Sequence, residues 1–286
     1  MEKCVFIVGC GYVGRRVASA WRTESVHVGA LTHTECRVDE LKVHGIAPIV
    51  GDLDSSASLE ELPVEDSLLY HLAPPPQMGE IDNRVGNLLS AMVERCPARI
   101  VYLSTTGVYG DCGGVWIDEQ QPLNPVAARA KRRVDAEQRY REWCEARGVE
   151  LVILRVSGIY GPGKLPEARI RRGDPVLEEA SSPYTNRIHI DDLVAAAVAA
   201  GREGASGIYN VADGHPTTMT DYFCRVADHL GLPQPEQLTP EAAEAVLGEG
   251  MKSYLAESRR IDNSRLKDLL GGKLRFPDLE HGLAGC

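Results

Sequence analysis

Cys4-Val-Phe-Ile-Val-Gly9-Cys-Gly-Tyr-Val-Gly14 lies near the start of the sequence: a short apolar run ends in three spaced glycines and passes straight into an amphipathic stretch over 12–21. A strand, a glycine turn and a helix start in that order make the first half of a βαβ unit. Gly9 permits the tight turn, Gly11 lets a diphosphate approach the backbone, and Gly14 lets the helix pack closely on the strand. The first N–H groups of a helix have no partner inside it, so those near Tyr12 and Val13 are free to meet anionic oxygens. A chance glycine turn is the competing reading, and the strand before it and the helix after it count against that.

The pattern continues outward from this turn. Short apolar runs recur at 26–31, 47–50, 67–73, 99–103 and 150–156, and helical periodicity covers 81–96 and 126–147. Strands alternating with helix-length segments predict an α/β fold, a Rossmann-like doubly wound parallel sheet. The 126–147 segment carries Arg129, Lys131, Arg132, Arg133, Arg139 and Arg141, which reads first as a solvated basic face. Gly and Pro then punctuate the chain from 158 to 183, and order returns with a helix over 190–201 and a strand over 207–211. Helical patterns follow at 220–230, 240–247 and 263–270. The expected domains are a dinucleotide-binding domain over 1–157 and 187–212, and a smaller, discontinuous substrate lobe over 158–186 and 213–286.

Composition limits the function classes. The 286 residues are 43% hydrophobic and 25% charged, ordinary for a globular chain with a sizeable core. With 31 Lys and Arg against 41 Asp and Glu, the net charge of −10 repels a nucleic-acid backbone. No apolar stretch approaches the roughly 20 residues that span a bilayer, and residues 1–8 lack the form of a secretory signal. The expectation is a cytoplasmic protein without nucleic-acid or membrane partners. The eight cysteines and eight histidines show neither CxxC nor HxxxH spacing, so no metal site is expected and the thiols are read as reduced.

The end of the second strand separates NAD from NADP, because an acid there accepts from the ribose 2′-OH whereas arginine suits a 2′-phosphate. No carboxylate stands over 32–34. Thr32 and His33 occupy the strand end, Arg15 follows the glycine turn and Arg37 is near, so the cofactor is read as NAD(P) with a slight preference for NADP. Asp52 and Leu53 follow the third strand; Asp52 either accepts from the adenine amino group or caps its own turn. Leu72 and Ala73 end the fourth strand at the carboxyl edge where open sheets bind ligands, with His71 either lining that groove or serving as a satisfied internal histidine.

The glycine turn, Leu103-Ser-Thr-Thr-Gly-Val-Tyr-Gly110, Leu154-Arg-Val-Ser-Gly-Ile-Tyr-Gly-Pro162, Ile188-His-Ile-Asp-Asp-Leu193 and Tyr209-Asn-Val-Ala212 occur in one order. In this the chain resembles the extended short-chain dehydrogenases/reductases, in particular the NAD-dependent epimerase/dehydratase group that acts on nucleotide sugars. The resemblance covers nearly the whole chain. It implies that Thr105, three residues before Val108, polarises a substrate oxygen, although a strand-capping hydroxyl is an alternative. The family's proton-transfer pair is YxxxK followed by Glu. Glu137 fits that Glu, so the register sets Arg133 at the Lys and Arg129 at the Tyr, and the usual dyad is missing. Guanidinium keeps its proton up to about pH 12 and so cannot exchange it near neutrality. Arg129 can still donate to a carboxylate or phosphate, and Arg133 can bond ribose hydroxyls as the absent Lys would. Tyr109 is the nearest other phenol in sequence and a further catalytic candidate, though in the family it is usually structural.

Two functions follow. One is an oxidoreductase or epimerase/dehydratase-like enzyme acting on a nucleotide sugar or another small carbonyl or hydroxyl substrate. The other is a non-catalytic NAD(P)-binding redox sensor or regulatory module that lost the acid/base pair. Arg169, Arg171 and Arg172 suit an anionic substrate group or form a solvated face. Family members often form a homodimer through the helices matching 81–96 and 126–147, and the resemblance leaves that open for this chain.

Overall fold

A computed structural model describes residues 4–24, 26–202 and 205–286; the reading of the first eight residues as no leader rests partly on 1–3, outside that set. Seven strands form the main sheet: β1 (Cys4–Val8), β2 (His27–Thr32), β3 (Ala47–Val50), β4 (Leu68–His71), β5 (Arg99–Thr105), β6 (Glu150–Val156) and β7 (Gly207–Val211). Their order is β3-β2-β1-β4-β5-β6-β7, the doubly wound arrangement expected. Neighbours from β3 through β5 pair in parallel. Val5 to Val8 are essentially inaccessible, as a central strand covered on both faces requires. Val8 lies in register with Leu31 on one side and His71 on the other. The carboxyl ends of β1, β2 and β4 therefore come level, and the loops at 9–11, 33–37 and 72–73 leave one edge.

Five longer helices are used below: α1 (Tyr12–Arg22), α2 (Asn83–Ala91), α3 (Ala128–Arg147), α4 (Ile190–Ala200) and α5 (Met219–His229). Asp82 caps α2, its carboxylate accepting from Val85 N–H at 3.2 Å, which starts that helix two residues later than its periodicity suggests. Gly148, in the left-handed region at φ 66°, ends α3. The α3 sequence is strongly basic, yet Ala130, Ala136, Tyr140 and Cys144 make a buried stripe. The arginines are distributed around it. Arg139 pairs with Asp135 and Lys131 with Glu80, while Arg132 is itself buried.

The chain divides into two compact units. The first comprises Met1–Val108, Pro125–Arg155 and Val194–Tyr209, with a core in which Phe6, Val8, Leu69, Leu88, Ile100, Tyr102 and Tyr140 pack together. The second comprises Tyr109–Asn124, Val156–Leu193 and Asn210–Cys286, around Tyr160, Ile170, Tyr222, Phe223 and Leu283. Residues 109–124, 156–157, 187–193 and 210–212, expected in the first domain, group with the second unit. Backbone pairing explains this. Trp116–Ile117 pairs in parallel with Arg260–Ile261, and Arg187–His189 with Gly158–Tyr160. Asp213 N–H donates to the Arg187 carbonyl at 2.8 Å.

Among the described residues no helix is long and apolar enough to cross a membrane. None of the described His, Cys, Asp and Glu side chains cluster in a group of three or more that could hold a metal ion.

Candidate active site

The glycine turn is built as a cradle. Gly9 has φ 96°, and a side chain there would put its Cβ 2.4 Å from Ala73 N; only glycine lets Leu72 and Ala73 lie against the turn. At Gly14 a Cβ would stand 2.6 Å from the Gly9 carbonyl oxygen. Gly11 differs, because a Cβ there would meet nothing within 4 Å. The space over the turn is open where a diphosphate needs it. Gly11 is also the N-cap of α1, no side chain caps the helix, and its first turn carries no acid, so its orphan N–H groups and positive end face that space. Tyr12 and Val13 are half-buried, with the Arg16 guanidinium 4.0 Å over the Tyr12 ring. These residues fit a dinucleotide. Burial pushes the Cys10 thiol up to about 11, leaving it a small apolar filler.

Thr32 is buried and donates to the Thr34 carbonyl at 3.3 Å. His33 is exposed, with Nδ1 3.6 Å from Asp52 Oδ1. That same oxygen accepts the Asp54 N–H at 2.9 Å, so Asp52 does cap its own turn. The Leu53 carbonyl accepts from Asn87 Nδ2 at 2.8 Å. Glu40 was absent from the sequence reading of this region. It lies on the short helix Val38–Val43, and its carboxylate pairs with Arg15 from α1 and with Arg37 Nε at 3.4 Å. Arg37 Nη2 in turn donates to the Cys10 carbonyl inside the glycine turn at 2.9 Å. The Arg37–Glu40 spacing of three was visible in the sequence; the pairing of Arg15 across 25 residues was not.

At the end of β5, Thr105 is half-buried and its Oγ1 accepts the Gly107 N–H at 3.2 Å. Ser104 points the other way and donates to Glu137 Oε1 at 2.6 Å. Glu137, 1% exposed, also accepts from Arg155 Nε at 3.1 Å and Nη2 at 2.7 Å, which ties α3 to β5 and β6. Four residues earlier, Arg133 Nη1 donates to the Tyr102 hydroxyl and the Leu103 carbonyl, each at 3.0 Å. Arg129 is half-buried, one further turn up the same helix face. Below them, the His71 Nδ1 lies 2.5 Å from the Tyr140 hydroxyl. Burial first, then Arg133 and Arg84, pushes the His71 pKa down to about 3, so it is a neutral, internally satisfied histidine.

In the second unit Tyr109 is fully buried and donates to Asn210 Oδ1 at 2.7 Å. Arg171 pairs with Glu167 and Arg172 with Asp174, both within their own segment, and Arg169 lies 3.8 Å from Asp174. Arg171 and Arg172 thus lie on a solvated face, whereas Arg169 is largely buried with its guanidinium 4.6 Å over the Phe223 ring.

Known proteins resemble this chain over nearly its whole length. A reductase from a Streptomyces species, 3-diazoavenalumate denitrifying reductase, is 27% identical over 98% of each chain. Protein YeeZ of Escherichia coli strain K12 is 28% identical, covering 96% of this chain and 97% of its own. A solved structure, a conserved protein of unknown function from Silicibacter pomeroyi, superposes with a TM-score of 0.82 at 28% identity, covering 99% of this chain and 97% of its own. The model of one family, described as NAD dependent epimerase/dehydratase, matches residues 5–212, a span that contains the cradle, the Thr105 strand end and the α3 stripe. With its glycine turn, its sheet order and that match, this chain belongs to the NAD dependent epimerase/dehydratase family.

Proposed function

We propose that the protein is an NAD(P)-dependent oxidoreductase or epimerase/dehydratase-like enzyme, acting on a nucleotide sugar or another small carbonyl or hydroxyl substrate without the Tyr-Lys pair. The observation that carries this is the open space over Gly11 at an uncapped helix start. The bound nicotinamide supplies the hydride. Gly9, Gly11, Gly14 and the N–H groups of Tyr12 and Val13 hold the diphosphate, and Thr32, His33, Asp52, Leu53, Leu72 and Ala73 line the adenosine and ribose. Asp52 keeps one carboxylate oxygen in its turn. The cofactor is NAD(P), with a slight preference for NADP on the strength of Arg15 and Arg37.

Thr105 presents a hydroxyl at a strand end and polarises the substrate oxygen. Arg129 donates charged hydrogen bonds to an anionic substrate or to developing negative charge, and it keeps its proton throughout. Arg133 works from below, through Tyr102 and Leu103, and stiffens the end of β5. Tyr109, buried with its hydroxyl on Asn210, serves the second unit's structure. Proton transfer then falls to substrate or water, since hydride transfer itself needs only a positioned ring. The substrate lobe corresponds to the second unit, the setting is the cytoplasm, and a homodimer forms through α2 and α3.

Loss of reduced-cofactor absorbance with a panel of carbonyl compounds, ketones and nucleotide sugars tests the enzyme reading. One observation favours a second reading, a cofactor-binding sensor without turnover: Arg133 Nη1 is bonded to Tyr102 and Leu103. Arg129→Tyr with Arg133→Lys separates the two. Activity in the wild type supports the enzyme; a silent wild type that binds cofactor, with activity gained by the double variant, supports the sensor.

A further inference from the structure

Arg15, Arg37 and Glu40 meet at the carboxyl edge of β1 and β2, reached from three different segments. Resting on the reading of the glycine turn as an NAD(P) cradle, the adenosine ribose belongs at the end of β2. Arg37 is fixed at that place, because its Nη2 is bonded to the Cys10 carbonyl in the turn itself. A carboxylate at the strand end would hold a ribose 2′-OH and reject a 2′-phosphate, and a bare arginine pair would do the reverse. This protein has neither arrangement. No acid occupies 32–34, and the carboxylate of Glu40, from the next helix, is bonded to both guanidinium groups.

We propose that Glu40 is the specificity-determining residue for the cofactor: it occupies the Arg15 and Arg37 donors that a 2′-phosphate requires and so keeps NAD competitive with NADP. NAD leaves the Arg15–Glu40–Arg37 bridge intact. NADP has to displace Glu40 from at least one guanidinium and then sits beside its negative charge. Two cations and one anion leave a net charge of one on the cluster, which draws the phosphate weakly instead of strongly.

Calorimetric titration of NAD and NADP into the full chain tests this with wild type, Glu40→Gln and Arg37→Gln. Glutamine keeps a hydrogen-bonding group for Arg37 and removes the charge. Glu40→Gln is expected to tighten NADP by about tenfold while NAD changes by less than about twofold. Arg37→Gln is expected to weaken NADP by about tenfold and NAD much less. Unchanged NAD affinity in Glu40→Gln also reports that the turn is intact. Equal shifts for both nucleotides, or none, overturn the role of Glu40, because a merely structural brace would act on both alike. Failure of the wild type to bind either nucleotide instead refutes the cradle, and this inference with it.

Discussion

Replacing Glu137 by leucine should unfold the first unit more readily than any surface change on α3. The carboxylate is 1% exposed and the Arg155 side chain beside it 2% exposed. Leucine removes the acceptors for Ser104 Oγ and for two Arg155 nitrogens, and it leaves a guanidinium in the interior without its carboxylate. Breaking one half of a buried ion pair costs about 3–5 kcal/mol, whereas replacing both halves by apolar groups of similar volume is often close to neutral. The single variant Glu137→Leu is therefore expected to lose about 3–5 kcal/mol in urea unfolding, with a melting temperature lower by about 10 °C. The double variant Glu137→Leu with Arg155→Met is expected to recover most of that loss. The comparison is informative because Glu137 holds α3 against β6 through Arg155 and against β5 through Ser104, and so bears on where Arg129 and Arg133 stand relative to Thr105. A single variant that loses under about 1 kcal/mol, or a double variant worse than the single, would refute the reasoning, since the pair would then behave as a solvent-exposed one.

The glycine turn allows a paired test. Gly9→Ala, with its Cβ 2.4 Å from Ala73 N and φ 96°, should destabilise the protein without ligand, whereas Gly11→Val should leave the unliganded melting temperature unchanged and abolish the stabilisation by added NAD, which for wild type is about 2.7 kcal/mol at 100 times the dissociation constant; differential scanning fluorimetry reads both. For His71, with its folded pKa pushed down to about 3 from 6.5, the unfolded chain takes up the proton first. Stability falls as pH drops from 6.5 toward 3 by up to about 1.4 kcal/mol per pH unit, so His71→Gln should flatten the slope of urea midpoint against pH between 6 and 4, and parallel slopes would contradict the burial of a neutral ring. Ser104→Ala should lower stability by about 1 kcal/mol with cofactor affinity unchanged, while Thr105→Ala should do the opposite, lowering turnover and leaving the urea midpoint in place.

How far the sequence could be read depended on whether the deciding signal was local. β1, β3, β6 and β7 match their apolar runs end to end, because each run is bounded by turn residues. The helix expected over 81–96 is shorter at both ends: Asp82 takes the cap, and the apolar residues Met92 and Val93 that prolong the periodicity lie past its end at Ala91. The six-residue helix Val38–Val43 is too short to establish a period, and with it Glu40 was missed. Glu137 was found as a spacing marker in α3. Its partners Ser104 and Arg155 lie on other strands, 33 and 18 residues away in sequence, and spacing along one helix says nothing about them. The grouping of 109–124 with the second unit has the same kind of cause, since Trp116 and Ile117 pair with Arg260 and Ile261 far along the chain.

That pairing has a consequence for how the protein is made. Trp116–Ile117 hydrogen-bonds in parallel with Arg260–Ile261, and Cys112 and Gly114 N–H groups both donate to the Ser258 carbonyl. On the ribosome the earlier segment emerges long before its partner is synthesised. The first unit can collect its sheet while the nascent chain is still growing, whereas the second waits for the last stretch of polypeptide and leaves an unsatisfied edge in the interval. Translation arrest before residue 258 should therefore yield a species that chaperones retain and proteases cut near 109–124, even though its nucleotide cradle is already assembled.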